Sequence, residues 1–159
     1  GVSYTEEGFP HTWFPFLSSK VVGIRVMDIC KNDINRGLYQ LAHEIIHCLC
    51  PHREINANVF EEGLATHFAA EYMDEYEKQP DWHPAETDYK YVLALKCIKK
   101  AFEIDPNIAT KLVAKERNFV NITENMILEV SPKLPRDLAK ILTTDFYDDS
   151  WIELANKIE

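Results

Sequence analysis

The chain has 159 residues, 46% of them hydrophobic and 11% aromatic, which is enough apolar material for a core and fits one compact domain spanning residues 1–159. Its 17 Lys and Arg stand against 26 Asp and Glu, a formal charge of −9 that disfavours phosphate backbones and anionic lipid surfaces as partners. No apolar run reaches the roughly 18 residues of a membrane-spanning helix, and Arg25 and Asp28 interrupt Val21 to Ile29, which argues against a signal peptide.

The segment from Gly8 to Phe16 mixes aromatic residues with Pro10 and Pro15, a composition that packs but does not continue a helix, and it reads as an extended arm. Val21 to Ile29 carries β-branched residues in partial alternation and reads as a strand at an edge or half-buried. From Asn35 the apolar residues Leu38, Leu41, Ala42, Ile45 and Leu49 recur at helical spacing until Pro51 stops them. A short loop leads to a second helix, from about Ala57 to Tyr76, with Phe60, Leu64, Phe68 and Tyr72 keeping the period. Gln79 to Thr87 is a loop, after which Asp88 caps a third helix that runs to Ile104 and is closed by Asp105-Pro106. Shorter helices are expected near Asn107–Glu116, Thr123–Val130, Arg136–Thr143 and Ser150–Lys157. The fold class is therefore α+β, mostly helical, with a short N-terminal strand region.

Cys30, Cys48, Cys50 and Cys97 are too few and too scattered for the disulfide framework of a small secreted domain, and reduced thiols in a cytoplasmic protein are the expectation. The chain opens on Gly1 and not on Met, as a trimmed or excised piece would. Cys48-Leu49-Cys50-Pro51-His52 invites comparison with a metal site, but it lacks the usual cysteine spacing and two further ligands, so small apolar side chains at a helix end are the better reading.

His43-Glu44-Ile45-Ile46-His47 is an H-E-x-x-H sequence in the middle of the first expected helix. Histidines at positions i and i+4 project from one side of a helix and reach one metal ion together, while Glu44 lies one position round, within reach of a water bound to that ion. Zinc suits the pair, since three protein ligands leave it a fourth position for water, whose pKa falls to about 7. A third ligand is needed, and the adjacent Glu61 and Glu62 both stand at a workable distance, with one helical turn direction separating them.

Glu61-Glu62-Gly63-Leu64-Ala65-Thr66-His67-Phe68 resembles the E-G-x-A segment in which gluzincin metallopeptidases place their glutamate ligand. That resemblance covers Leu38 to Met73 and implies a zincin-like domain, a zinc site of His43, His47 and Glu62, and Glu44 as general base in the hydrolysis of a peptide or protein substrate. The interval from His47 to Glu62 is about one helical turn shorter than in the aminopeptidase branch, so the chain departs from that branch's pattern. Aminopeptidase-type members also carry a tyrosine that steadies the developing oxyanion at the start of a later helix. Tyr91-Val92-Leu93-Ala94-Leu95 is similar to that context, with Tyr89 as the near competitor and core packing as the plainer reading of both.

Thr66 and Asn58, a turn either side of Glu62, are candidates to orient the histidines. His67 reads as an ordinary partly buried histidine, because a fourth protein ligand would close the site to water. The competing function is a zinc-binding domain kept for structure or partner recognition without turnover, against which the presence of Glu44 counts.

Overall fold

The structure is a computed structural model and describes residues 1–16, 21–51, 56–79, 82 and 88–158. It is a mostly helical α+β fold whose strands all lie in the N-terminal part. The chain divides into two compact units, residues 1–53 with 68–84 and residues 54–67 with 85–159.

In the first unit, strands β1 (Val2–Thr5), β2 (His11–Trp13) and β3 (Gly23–Met27) form one sheet in the order β1-β3-β2. β3 is central and not an edge strand: β1 pairs with it in parallel, Val2 opposite Ile24, and β2 pairs antiparallel, Trp13 opposite Gly23. The expected arm between Gly8 and Phe16 is thus partly a strand, held between its two prolines. Gly23 is required by that pairing, because a Cβ there would lie 2.3 Å from the indole Nε1 of Trp13. The Arg25 guanidinium lies over the indole, 4.1 Å from the ring centroid.

A 3-10 turn over Asp28–Lys31 leads to helix α1 (Ile34–His47). Asp33 caps it, its carboxylate accepting from the Arg36 amide at 3.0 Å. The helix ends before the expected stop at Pro51, the Cys48 amide being shared between the carbonyls of Glu44 and Ile45. Its buried residues are Tyr39, Gln40, Ala42, His43, Glu44 and Ile46. The apolar stripe that marked this helix in the sequence is only partly covered: Ala42 is buried, and Leu41 and the neighbouring Cys48 pack against Ile24, Val26 and Cys30 of the small sheet and its turn, while Ile45 and Leu49 are exposed. Gln40 fastens helix to strand. Its side-chain oxygen accepts from the Met27 amide at 2.9 Å and from the Cys30 thiol at 3.2 Å.

Helix α2 (Val59–Glu75) begins in the second unit, which holds it as far as His67, with a stretch, Val59 to Thr66, that is buried on every side. Asn58 caps it by accepting from the Glu61 amide at 2.9 Å and donates in turn to the Phe119 carbonyl at 2.7 Å. Helix α3 (Tyr89–Ile104) starts and ends where its sequence signals lie, with the Asp88 carboxylate accepting from Lys90. Helices α4 (Ile108–Lys115), α5 (Glu124–Val130), α6 (Arg136–Thr143) and α7 (Ile152–Ala155) follow. α3 packs on α6 and α7, and α5 on α4 and α6, around a core that includes Ile98, Leu112, Ile127, Ile141 and Trp151. No helix among the described residues is long and apolar enough to cross a membrane.

Candidate metal centre

Three helices carry the residues marked by the sequence. His43, Glu44 and His47 lie on α1, Glu62 in the first turn of α2, and Tyr91 in the first turn of α3. The hydrogen bond of Gln40 to β3 sets the roll of α1, and because Gln40 lies one turn before His43 on the same face, that bond also sets where the imidazole points. Gln40 was not marked by sequence reading; its only signal is a polar residue at a helical position that turns out to be buried.

His43 and Glu44 are buried and His47 is half-buried. The two imidazole rings stand 5.1 Å apart, centroid to centroid, with their planes at 54°. Glu44 makes its charge felt one turn on: burial pushes the Cys48 thiol above its ordinary pKa, and the Glu44 carboxylate pushes it further.

His43, His47 and Glu62 come together. Each offers one ligand atom, and these atoms all lie within 4.8 Å of one another. The group could hold a metal ion: two imidazoles and a carboxylate are a chemically coherent donor set, and burial of a carboxylate favours a cation beside it. Among the described residues no other group of three His, Cys, Asp or Glu side chains gathers in this way. Comparison of the chain with protein-family models, with curated proteins and with solved structures found no match.

Local geometry separates the two adjacent glutamates. Glu61 is the third residue of α2, its amide takes the cap from Asn58, and it is fully buried at the positive end of the helix dipole. Glu62, about 100° further round, is the one that meets the histidines.

The two residues expected to orient the histidines are committed elsewhere. Asn58 is the cap just described, and the Thr66 hydroxyl donates to the Glu62 carbonyl at 2.8 Å. His67 lies against Phe102 with ring centroids 5.1 Å apart. Tyr91 is half-buried with its ring 4.8 Å from that of Phe146, whereas Tyr89 is exposed and its hydroxyl donates to Asn156. None of the four cysteines forms a disulfide; Cys50 is buried and Cys48 half-buried beside the sheet. His52, the end of the Cys48-to-His52 run, and His83 lie outside the described residues.

Proposed function

We propose that the chain is a zinc-dependent peptidase of the gluzincin type, in which His43, His47 and Glu62 hold the metal and Glu44 is the general base. One observation carries this reading. A histidine pair on one helix and a glutamate from another bring three ligand atoms within 4.8 Å of one another, the number and kind of donors that leave zinc an open position. Nitrogen donors favour zinc over calcium or magnesium, which take oxygen ligands.

When bound, the metal polarises the scissile carbonyl and makes water acidic enough to lose a proton near neutral pH. Glu44 accepts that proton as the water oxygen bonds to the carbonyl carbon, and returns it to the amide nitrogen as the carbon–nitrogen bond breaks; the water's second proton passes to the amine, so that the products are a carboxylate and an ammonium group. Tyr91 is assigned to donate its hydroxyl hydrogen bond to the oxygen that becomes negative in between.

The test is a pair of measurements on the purified chain: metal content, and hydrolysis of a broad peptide library. Glu44→Gln should keep its metal and lose about 10²–10⁴ in turnover, because only the proton-transfer group has gone. A native chain that carries a full complement of metal and cleaves nothing in the library would instead be a metal-binding module without catalysis.

A further inference from the structure

Phe146 lies in the bend after α6, is almost wholly buried, and takes no part in the chemistry proposed above. Its backbone and its ring are all engaged. The amide donates to the Ala57 carbonyl at 2.9 Å, and the carbonyl accepts from the Trp151 indole at 3.2 Å. The ring lies 4.8 Å from that of Tyr91, tilted by 47°, and 5.9 Å from that of Trp151.

Neighbouring residues strengthen the first of these ties. The Val59 amide donates to the Thr144 carbonyl at 2.9 Å, Asn58 and Asp145 form an isolated antiparallel bridge, and the Asn56 side chain donates to the Asp145 carboxylate. The Glu62 amide then donates to the Asn58 carbonyl at 3.1 Å, so Glu62 is one helical turn from this clamp. On the other side, Tyr91 is in the first turn of α3. The two helices also meet at Gly63, where an added Cβ would stand 2.8 Å from the Ala94 carbonyl, one turn after Tyr91.

We infer that Phe146 is a positioning residue, which through its backbone fixes the start of α2 and through its ring fixes Tyr91, so that Tyr91 and Glu62 are held in one register. This rests on the reading of Glu62 as a metal ligand and Tyr91 as an oxyanion donor. A residue that only filled core volume would matter for stability alone. Phe146 acts on the tyrosine because aromatic pairs constrain ring orientation as well as burying area.

The experiment uses the full chain with 3-fluorotyrosine placed at position 91, and separately at position 89, each with and without Phe146→Leu. The leucine keeps the backbone ties and removes the aromatic contact. The fluorine resonance at position 91 should shift and broaden, that at position 89 should stay, and zinc content should not change. Turnover should fall by about 10- to 100-fold with little change in KM, the range that a misplacement of an ångström or less produces. Adding Tyr91→Phe to Phe146→Leu should then cost less than Tyr91→Phe costs in the native chain, since the first change has already removed part of the same contribution. An unmoved resonance at position 91 in folded Phe146→Leu overturns the inference, as do losses of turnover that simply multiply. Phe146→Met serves the same measurements should the leucine variant not fold. If Tyr91→Phe leaves native turnover intact, the oxyanion reading falls while the fluorine shift still decides the role of Phe146.

Discussion

The imidazole rings of His43 and His47 stand 5.1 Å apart at a tilt of 54°, on a helix rolled into place by the hydrogen bond from the Met27 amide to Gln40. Helical spacing alone brings two histidines to one side. It does not bury them, and here the face that carries His43, Glu44 and Gln40 is the buried one while Ile45 and Leu49 are left in solvent. Burying polar groups costs free energy unless partners compensate, so a buried face that carries His43, Glu44 and Gln40 needs partners of its own, as Gln40 has in the Met27 amide.

Metal binding should depend on Glu62 and not on Glu61. Glu62→Gln removes a charged donor from the group of three and should lower zinc affinity by at least tenfold, read by competition with a chelator. Glu61→Gln should leave affinity within about threefold and lower the melting temperature, since Glu61 is fully buried at the capped end of α2. Loss of zinc from the Glu61 variant with retention in the Glu62 variant would reverse the assignment.

Gly63 cannot carry a side chain at no cost. A Cβ would meet Ile98 Cγ1 at 2.6 Å and the Ala94 carbonyl at 2.8 Å. Gly63→Ala should destabilise the fold by about 1–3 kcal/mol in denaturant unfolding, the usual cost of overpacking. Ile98→Ala in the same chain should relieve part of that and no more, because the Ala94 carbonyl is backbone and stays. Full additivity of the two changes would mean that α2 and α3 do not meet as described.

Acid should expose the role of Asp105. Its carboxyl is held below the usual carboxylate range, chiefly by the hydrogen bond from Lys111 Nζ at 2.6 Å, with the Asn107 amide at 3.1 Å and the Ser131 hydroxyl adding to it. A group whose pKa is lower in the folded chain stabilises the fold above its unfolded value of about 3.9 and ceases to do so as the pH falls through the folded value. Asp105→Asn should therefore melt below the native chain at about pH 6, and the gap should narrow as the pH falls below about 3.9. A gap that persists in acid would mean that the carboxylate charge is not what stabilises the junction of α3 and α4.

The Cys97 thiol should be inert in the native state. Burial pushes it up to about 11, so at pH 8 its thiolate fraction is about a hundredfold below that of an ordinary cysteine. Alkylation followed by mass spectrometry should label Cys97 only in denaturant. Equal labelling rates in native and denatured protein would show that the site between the core helices is open.

Local signals were read well and long-range ones were not. Asp88 and Asp105-Pro106 bracket α3 because caps act within a turn of where they stand, and the H-E-x-x-H and E-G pair named the three side chains that meet. Strands β1 and β2 escaped notice because a strand of three or four residues is stabilised by its partner, here β3, and not by its own pattern. The apolar recurrence along α1 marks a helix but not how much of it is covered: Ala42 is buried and Leu41 packs on the sheet, while Ile45 and Leu49 are exposed. Nothing near Phe146 in sequence marks it, since everything that gives it a role arrives from Ala57 and Tyr91.

The clamp on the start of α2 also sets an order in time. Asn56 and Asp145, which it joins, are 89 positions apart. At synthesis rates of about 5–20 residues per second, several seconds pass between the emergence of the one and of the other. During that interval the nascent chain already bears its histidine pair, but the turn that presents Glu62 has only its local cap from Asn58 and lacks the ties from Thr144, Asp145 and Phe146. On the function proposed above, activity would await the emergence of Thr144 to Phe146, and a product released by the ribosome short of Thr144 would lack the clamp altogether.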